Sequence, residues 1–173
     1  TACAAGRSTN AAIGQTECID CVAGTWVAPG VPSCTACGNG KYLAARSSET
    51  SNDASADCTD CAAAQFLAGT GAACTACAAG RSTSANTGQT ECIDCVAGTW
   101  AASESPSCTA CGNGKYLAAR SSATSNDASA DCINCENGAY LETTDATCKD
   151  CPAGKYVGAG AQTQCDTCPN GTW

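Results

Sequence analysis

Residues 151–173 read CPAGKYVGAGAQTQCDTCPNGTW, and this stretch holds one whole unit of the chain. Cys151 is followed by two residues, Gly154, one residue and Tyr156. A short polar loop then leads to Cys165-Asp-Thr-Cys168. The second cysteine of that pair opens the next unit, Cys168-Pro-Asn-Gly171-Thr-Trp173, so neighbouring units share their boundary. Upstream, the cysteines stand at 3, 18/21, 34/37, 58/61, 74/77, 92/95, 108/111, 132/135, 148/151 and 165/168. The loops between them run 14, 12, 20, 12, 14, 12, 20, 12 and 13 residues. The series recurs after four loops, so a period of 74 residues lies above the short one, and residues 3–57 match 77–131 at 47 of 55 positions. Fixed periods of this kind mark a repeat architecture. The expected division is 1–2 as the end of a preceding unit, 3–76 and 77–150 as two 74-residue repeats, and 151–173 as the start of a third. With both ends inside a repeat, the chain is expected to be a piece of a longer array.

Nineteen of the 173 residues are Cys, a density at which a disulfide scaffold is the default reading of a secreted chain. Large apolar residues are scarce: four Leu, four Ile, five Val, one Phe, four Tyr and three Trp, with no Met. Burying one such side chain contributes about 1.5–3 kcal/mol, too little in sum to order a chain of this length. Crosslinks that restrict the unfolded chain must do much of that work, at about 3 kcal/mol for a loop of about 15 residues in the chain-entropy model.

Eight basic and sixteen acidic side chains leave a net charge of −8, with no His. This argues against nucleic acid, which a basic stripe would neutralise, and against an anionic membrane surface. No apolar run approaches the length of a membrane span. Asn170-Gly171-Thr172 is an N-glycosylation sequon, consistent with an extracellular chain.

Ten cysteines open loops, and nine of them have Gly three residues later; the exception is Ala64. Every aromatic residue lies five residues after an opening cysteine: Trp26, Tyr42, Phe66, Trp100, Tyr116, Tyr140, Tyr156 and Trp173. The loops from Cys3 and Cys77 carry Ser8 and Ser82 there instead. The pattern reads as a tight Cys-x-x-Gly turn of type I geometry, then a short extended piece. In that piece glycine and ring share a face, and the ring covers a disulfide. Tyr42-Leu43-Ala44-Ala45-Arg46 offers a brief turn of helix, and Ser51–Ser55 reads as irregular. Between the copies, Pro29-Gly30-Val31 becomes Ser103-Glu104-Ser105 and Ala12-Ile13 becomes Asn86-Thr87. Such changes suggest solvent-facing tips, with Ile13 and Val31 outside the core.

Two pairings suit the cysteines. The simpler closes each loop on itself: Cys3–Cys18, Cys21–Cys34, Cys37–Cys58, Cys61–Cys74, Cys77–Cys92, Cys95–Cys108, Cys111–Cys132, Cys135–Cys148 and Cys151–Cys165, leaving Cys168 for a partner beyond the chain. A crossed scheme, such as Cys18–Cys34 with Cys21–Cys37, leaves Cys3, Cys165 and Cys168 over. Spacing alone does not choose between them.

CPAGKY-(8)-CDTCPNGTW and CVAGTW-(7)-CTACGNGKY resemble the ephrin-receptor-like cysteine-rich repeat, and the first module of a tumour necrosis factor receptor repeat is similar. The Ala-, Ser-, Thr- and Gly-rich loops between Cys-x-x-Cys pairs resemble ciliate immobilization-type surface antigens more closely still. The receptor resemblance implies that an opening cysteine bonds the one closing its own loop, as Cys151–Cys165.

Other chemistries fit less well. Cys-x-x-Cys pairs twelve residues apart approach a four-cysteine zinc spacing, but the pattern never pauses into sets of four. Thiol redox catalysis needs one such motif on a βαβ unit. Asp53-Ala-Ser-Ala-Asp57 and its copy at 127–131 lack the glycine and distal Glu of a calcium loop. No catalytic, cofactor or metal residue is therefore assigned. The expected fold is a set of small disulfide-rich repeats, an elongated rod of β-turn and two-strand units with little helix and no large core. The expected role is a non-enzymatic extracellular or cell-surface coat, spacer or filament, self-associating and carrying glycans. A ligand-binding receptor-like ectodomain and a zinc-binding cysteine-rich protein are the alternatives.

Overall fold

The structure, a computed structural model, describes residues 2–10, 14, 16–45, 51–119, 125–142, 147–158 and 161–169. These form two compact units, residues 1–76 with 85–92, and 77–84 with 93–173. Each is built from antiparallel hairpins whose strands are two residues long. In the first unit β1 (Arg7–Ser8) pairs with β2 (Ile19–Asp20), β3 (Thr25–Trp26) with β4 (Thr35–Ala36), β5 (Lys41–Tyr42) with β6 (Thr59–Asp60), and β7 (Gln65–Phe66) with β8 (Thr75–Ala76). In the second β9 (Arg81–Ser82) pairs with β10 (Ile93–Asp94), β11 (Thr99–Trp100) with β12 (Thr109–Ala110), and β13 (Lys115–Tyr116) with β14 (Ile133–Asn134). There β15 (Ala139–Tyr140) also pairs with β16 (Lys149–Asp150), and β17 (Lys155–Tyr156) with β18 (Asp166–Thr167).

Every returning strand consists of the two residues enclosed by a Cys-x-x-Cys pair. The closing cysteine of one loop and the opening cysteine of the next therefore flank each returning strand. The cysteines bond loop by loop: Cys3–Cys18, Cys21–Cys34, Cys37–Cys58, Cys61–Cys74, Cys95–Cys108, Cys111–Cys132, Cys135–Cys148 and Cys151–Cys165. Cys77 and Cys92 are disulfide-bonded as well. Cα–Cα distances across the eight described bridges are 5.5–5.8 Å, inside the range a cystine spans without distorting the backbone.

The turn that opens each hairpin differs from the type I expectation. Thr25 N–H donates to Val22 O at 3.1 Å, so Gly24 is the third residue of the turn rather than the last. Its φ is +78°, which belongs to type II geometry, where the third residue must sit in the left-handed region. Ala64, the one departure from glycine, adopts φ +71° at the same place.

Backbone hydrogen bonds then join successive hairpins. Gly24 N–H donates to Leu43 O at 2.7 Å, and Gly24 O accepts from Cys37 N–H at 2.9 Å. The same pair of bonds recurs from Gly6 to Val27 and Cys21, from Gly80 to Ala101 and Cys95, and from Gly98 to Leu117 and Cys111. A second contact reaches one hairpin further. A Cβ on Gly24 would overlap the backbone of Gly71, one on Gly40 the backbone of Gly88, and one on Gly114 that of Ala161. The turns at Gly24, Gly40 and Gly114 are thus covered by the tip of the second hairpin after them.

The buried interior is mostly cystine sulfur plus one modest side chain in most hairpins. Val27, Leu43, Ala101, Leu117, Leu141 and Val157 are buried, and each stands six residues after its opening cysteine. Val31 is exposed; Ile13 lies outside the described residues. Among the described residues helix is confined to two single 3₁₀ turns, Ser55–Asp57 and Ser129–Asp131. The short helix entertained at 42–46 does not form over its described part: Tyr42 lies in β5 and residues 43–45 have no helical structure. The stretch read as irregular around 51–55 ends in the first of the 3₁₀ turns.

Candidate functional site

The feature repeated in every hairpin is the joint between one opening turn and the next cystine, so the joint is the candidate site. The residue five places after the opening cysteine reaches toward the closing disulfide of the following hairpin. Where that residue is serine the contact is direct: Ser8 Oγ lies 3.3 Å from Cys34 Sγ, and Ser82 Oγ lies 3.4 Å from Cys108 Sγ. A cystine sulfur carries no proton, so the hydroxyl donates. The same oxygens accept the Asn10 and Ser84 N–H at 3.3 Å, and both serines are about 1 % exposed. The two loops without an aromatic are therefore closed by a buried hydroxyl.

At Tyr116 and Tyr140 the ring walls a cleft beside that disulfide. Tyr116, Glu136, Ala139, Thr147, Cys148 and Asp150 line a cleft of about 280 Å³. Tyr140 occupies the corresponding place beside Pro152, Lys155 and Cys165, in one of about 210 Å³. Trp26, Tyr42, Phe66, Trp100, Tyr116 and Tyr140 are half-buried, and Tyr156 is 42 % exposed. Trp173 lies outside the described residues, as does the sequon Asn170. Tyr116 and Tyr140 are thus edges of clefts, while the smaller residue after every described ring but Phe66 is buried.

Two buried asparagines were not singled out by the sequence. Asn52 and Asn126 are 2 % and 1 % exposed, with φ near +61° and +62°. Asn52 Nδ2 donates to Ala44 O at 2.9 Å and Thr25 O at 3.4 Å, while Asn52 O accepts from Val27 N–H at 2.9 Å. Asn126 repeats this with Ala118 O, Thr99 O and Ala101 N–H. One side chain thereby ties the long loop to its own outgoing strand and to the preceding hairpin. Asn tolerates the left-handed conformation better than other side-chain-bearing residues.

The acidic loops that follow serve the backbone. Asp57 Oδ2 accepts the N–H of Asp53 at 2.9 Å and of Ala54 at 3.1 Å, and Asp131 does the same for Asp127 and Ala128. The hydrogen bond from the Ala128 amide, with lesser help from Asp127 and against some desolvation, holds the Asp131 carboxyl below the usual aspartate value.

Basic side chains pair across hairpins. Arg7 Nε is 3.0 Å from Asp20 Oδ1, Lys41 Nζ is 2.6 Å from Asp60 Oδ1, and Arg81 Nε is 2.9 Å from Asp94 Oδ1. These pairs are about half exposed and contribute little stability. Cys168 is the free cysteine and is half-buried, with its N–H donating to Gly154 O at 3.0 Å. Among the described residues no group of three or more His, Cys, Asp or Glu is placed to hold a metal ion, and no helix is long and apolar enough to cross a membrane.

Residues 138–173 match the model of a family described as tyrosine-protein kinase ephrin type A/B receptor-like. No curated protein matches the chain.

Proposed function

We propose that this chain is a non-enzymatic structural element of an extracellular or cell-surface layer. Its tandem cystine-closed hairpins serve there as a coat, spacer or filament-forming array. The observation that carries the reading is the joint itself. One cystine, one left-handed turn and one modest buried side chain recur in hairpin after hairpin. Arrays of like units present the same surface at a fixed interval, which invites repeating contacts between copies. Crosslinks of this density suit an oxidising compartment, and the match at 138–173 is to a family described as receptor-like. Self-association is the expected partnership, with glycans at Asn170 and on exposed Ser and Thr.

The test is sedimentation and electron microscopy of the oxidised protein over a range of concentrations. Concentration-dependent assemblies that survive chelator and disperse on reduction are expected. A chain that stays monomeric throughout overturns the coat and filament reading. A second reading, a ligand-binding ectodomain, is favoured by the cleft of Tyr116, Glu136 and Asp150, whose residues differ in the first copy. There Ala62 and Ala76 replace the two carboxylates. The zinc-binding reading is disfavoured because the sulfurs it needs are joined to one another.

A further inference from the structure

We propose that Ile19 with Val22, and their copies Ile93 with Val96, form two patches through which a second copy of this chain docks against the first. The inference rests on the self-associating reading above and assigns it a surface. In residues 3–57 the Ile and Val are Ile13, Ile19, Val22, Val27 and Val31. Three of them give way in the second copy, to Thr87, Ala101 and Ser105, although Val27 is buried. Ile19 and Val22 recur unchanged as Ile93 and Val96. Yet these are the more exposed: the two isoleucines are 51 % and 52 % exposed, and the two valines 72 % and 69 %. A side chain that only water touches is free to become polar, as Val31 did. An apolar pair kept in the open at both places marks a contact surface.

Local structure leaves these side chains bare. Ile19 stands opposite Ser8 and Ile93 opposite Ser82, in the two hairpins that lack a ring. Opposite Trp26, Tyr42, Phe66 and Trp100 the same place carries Thr. The exposure is the same wherever the hairpin stands in the chain. No described hairpin precedes that of Ile19 and four precede that of Ile93, yet the values agree, and further hairpins follow each within its own unit. Charge and period point to a second copy as the occupant. The chain carries −8 in all, which opposes the approach of a like chain. Beside each patch, however, a cation and an anion are matched: Arg7 with Asp20 at 3.0 Å, and Arg81 with Asp94 at 2.9 Å. Both members of each pair are about half exposed, so in a twofold contact the arginine of one copy meets the aspartate of the other. A second copy also carries both patches at the same interval of 74 residues. The two contacts then form together and reinforce each other, whereas an unrelated partner would have to reproduce that interval.

The experiment compares the oxidised wild type with a quadruple variant, Ile19→Thr, Val22→Ala, Ile93→Thr and Val96→Ala, by sedimentation over a range of concentrations. Thr and Ala are what other hairpins carry at these places, as at Thr35 and Ala62, so the variant keeps its bridges and its melting temperature. Its self-association weakens by about tenfold or more, as the loss of apolar area requires, and either pair of substitutions alone falls between. Ile133→Thr is the control. Ile133 is also 52 % exposed but stands where the first copy has Thr59, so its replacement leaves association unchanged. If the quadruple variant melts low, hydroxyl-radical footprinting of the wild type takes its place. Residues 18–22 and 92–96 then become protected as concentration rises, and a lack of protection overturns the surface. A quadruple variant that associates as tightly as wild type, or an Ile133→Thr variant that is weakened equally, overturns the surface and leaves self-association standing. A wild type that stays monomeric overturns both.

Discussion

Asn52 and Asn126 show how much of a hairpin array can rest on one amide group. Each donates from its side chain to two carbonyls of different segments, in a conformation that costs most residues strain. Replacing Asn52 with Ala removes both bonds and adds left-handed strain. The expected loss is about 1–3 kcal/mol for the unmade bonds, read as a lowered melting temperature of the oxidised chain. Asn52→Gly keeps the conformation and loses only the bonds, so it is expected to fall between wild type and Ala. Asp131 adds a pH-dependent increment. Its folded pKa lies below the ordinary value of 3.8, so its contribution is complete above that value and fades as pH falls through the folded one. Asp131→Asn is therefore expected to melt below wild type at neutral pH, with the gap closing in acid below 3.8. A gap independent of pH would remove the charge-assisted bond as its cause.

At the scale of one hairpin, the opening glycine answers two separate demands, and a pair of substitutions separates them. Gly24 and Gly30 have nearly the same φ, +78° and +79°. A Cβ on Gly30 meets nothing within 4 Å, and the second copy carries Glu104 there with φ +62°. Gly30→Ala is expected to cost only the left-handed strain, about 1–2 kcal/mol. Gly24→Ala adds overlap with the backbone of Gly71, and its cost is expected to exceed about 3 kcal/mol. Thermal unfolding of both variants checks the difference; equal losses would mean the covering loop yields freely. The same glycine explains what pattern reading missed. It belongs to the turn, so strand parity begins one residue later, and the ring and the residue after it point to opposite sides. Leu141 and Val27 are consequently the buried members, although Tyr140 and Trp26 are larger. Nothing in residue type marks the sixth position, which is Val, Leu, Thr or Ala from loop to loop.

For the whole molecule, the small disulfide-rich repeats and their paired two-strand sheets were legible because cysteine spacing leaves few ways to close loops this short. The buried asparagines were not, since a lone Asn in a Ser-rich loop looks like ordinary turn chemistry. Nor was the close approach of the turns at Gly24, Gly40 and Gly114 to the second hairpin after them, because it is made of backbone and carries no side-chain signature. Alkylation of the unfolded chain without reductant is expected to label one thiol, at Cys168, and all nineteen after reduction. Several labelled thiols before reduction would mean that the crosslinked array is not the state the protein occupies.

The loop-by-loop cystines also determine how this polypeptide bears a load. Tension applied between its ends passes through sulfur and skips the loops. Each ring presents only 5.5–5.8 Å between its bonded Cα atoms, followed by three peptide steps of about 3.5 Å. The 13–21 residues spanned by a ring are slack that cannot pay out. An oxidised strap of this design is nearly inextensible, and a thiol reductant would let it lengthen roughly fourfold at the same contour of about 3.5 Å per residue.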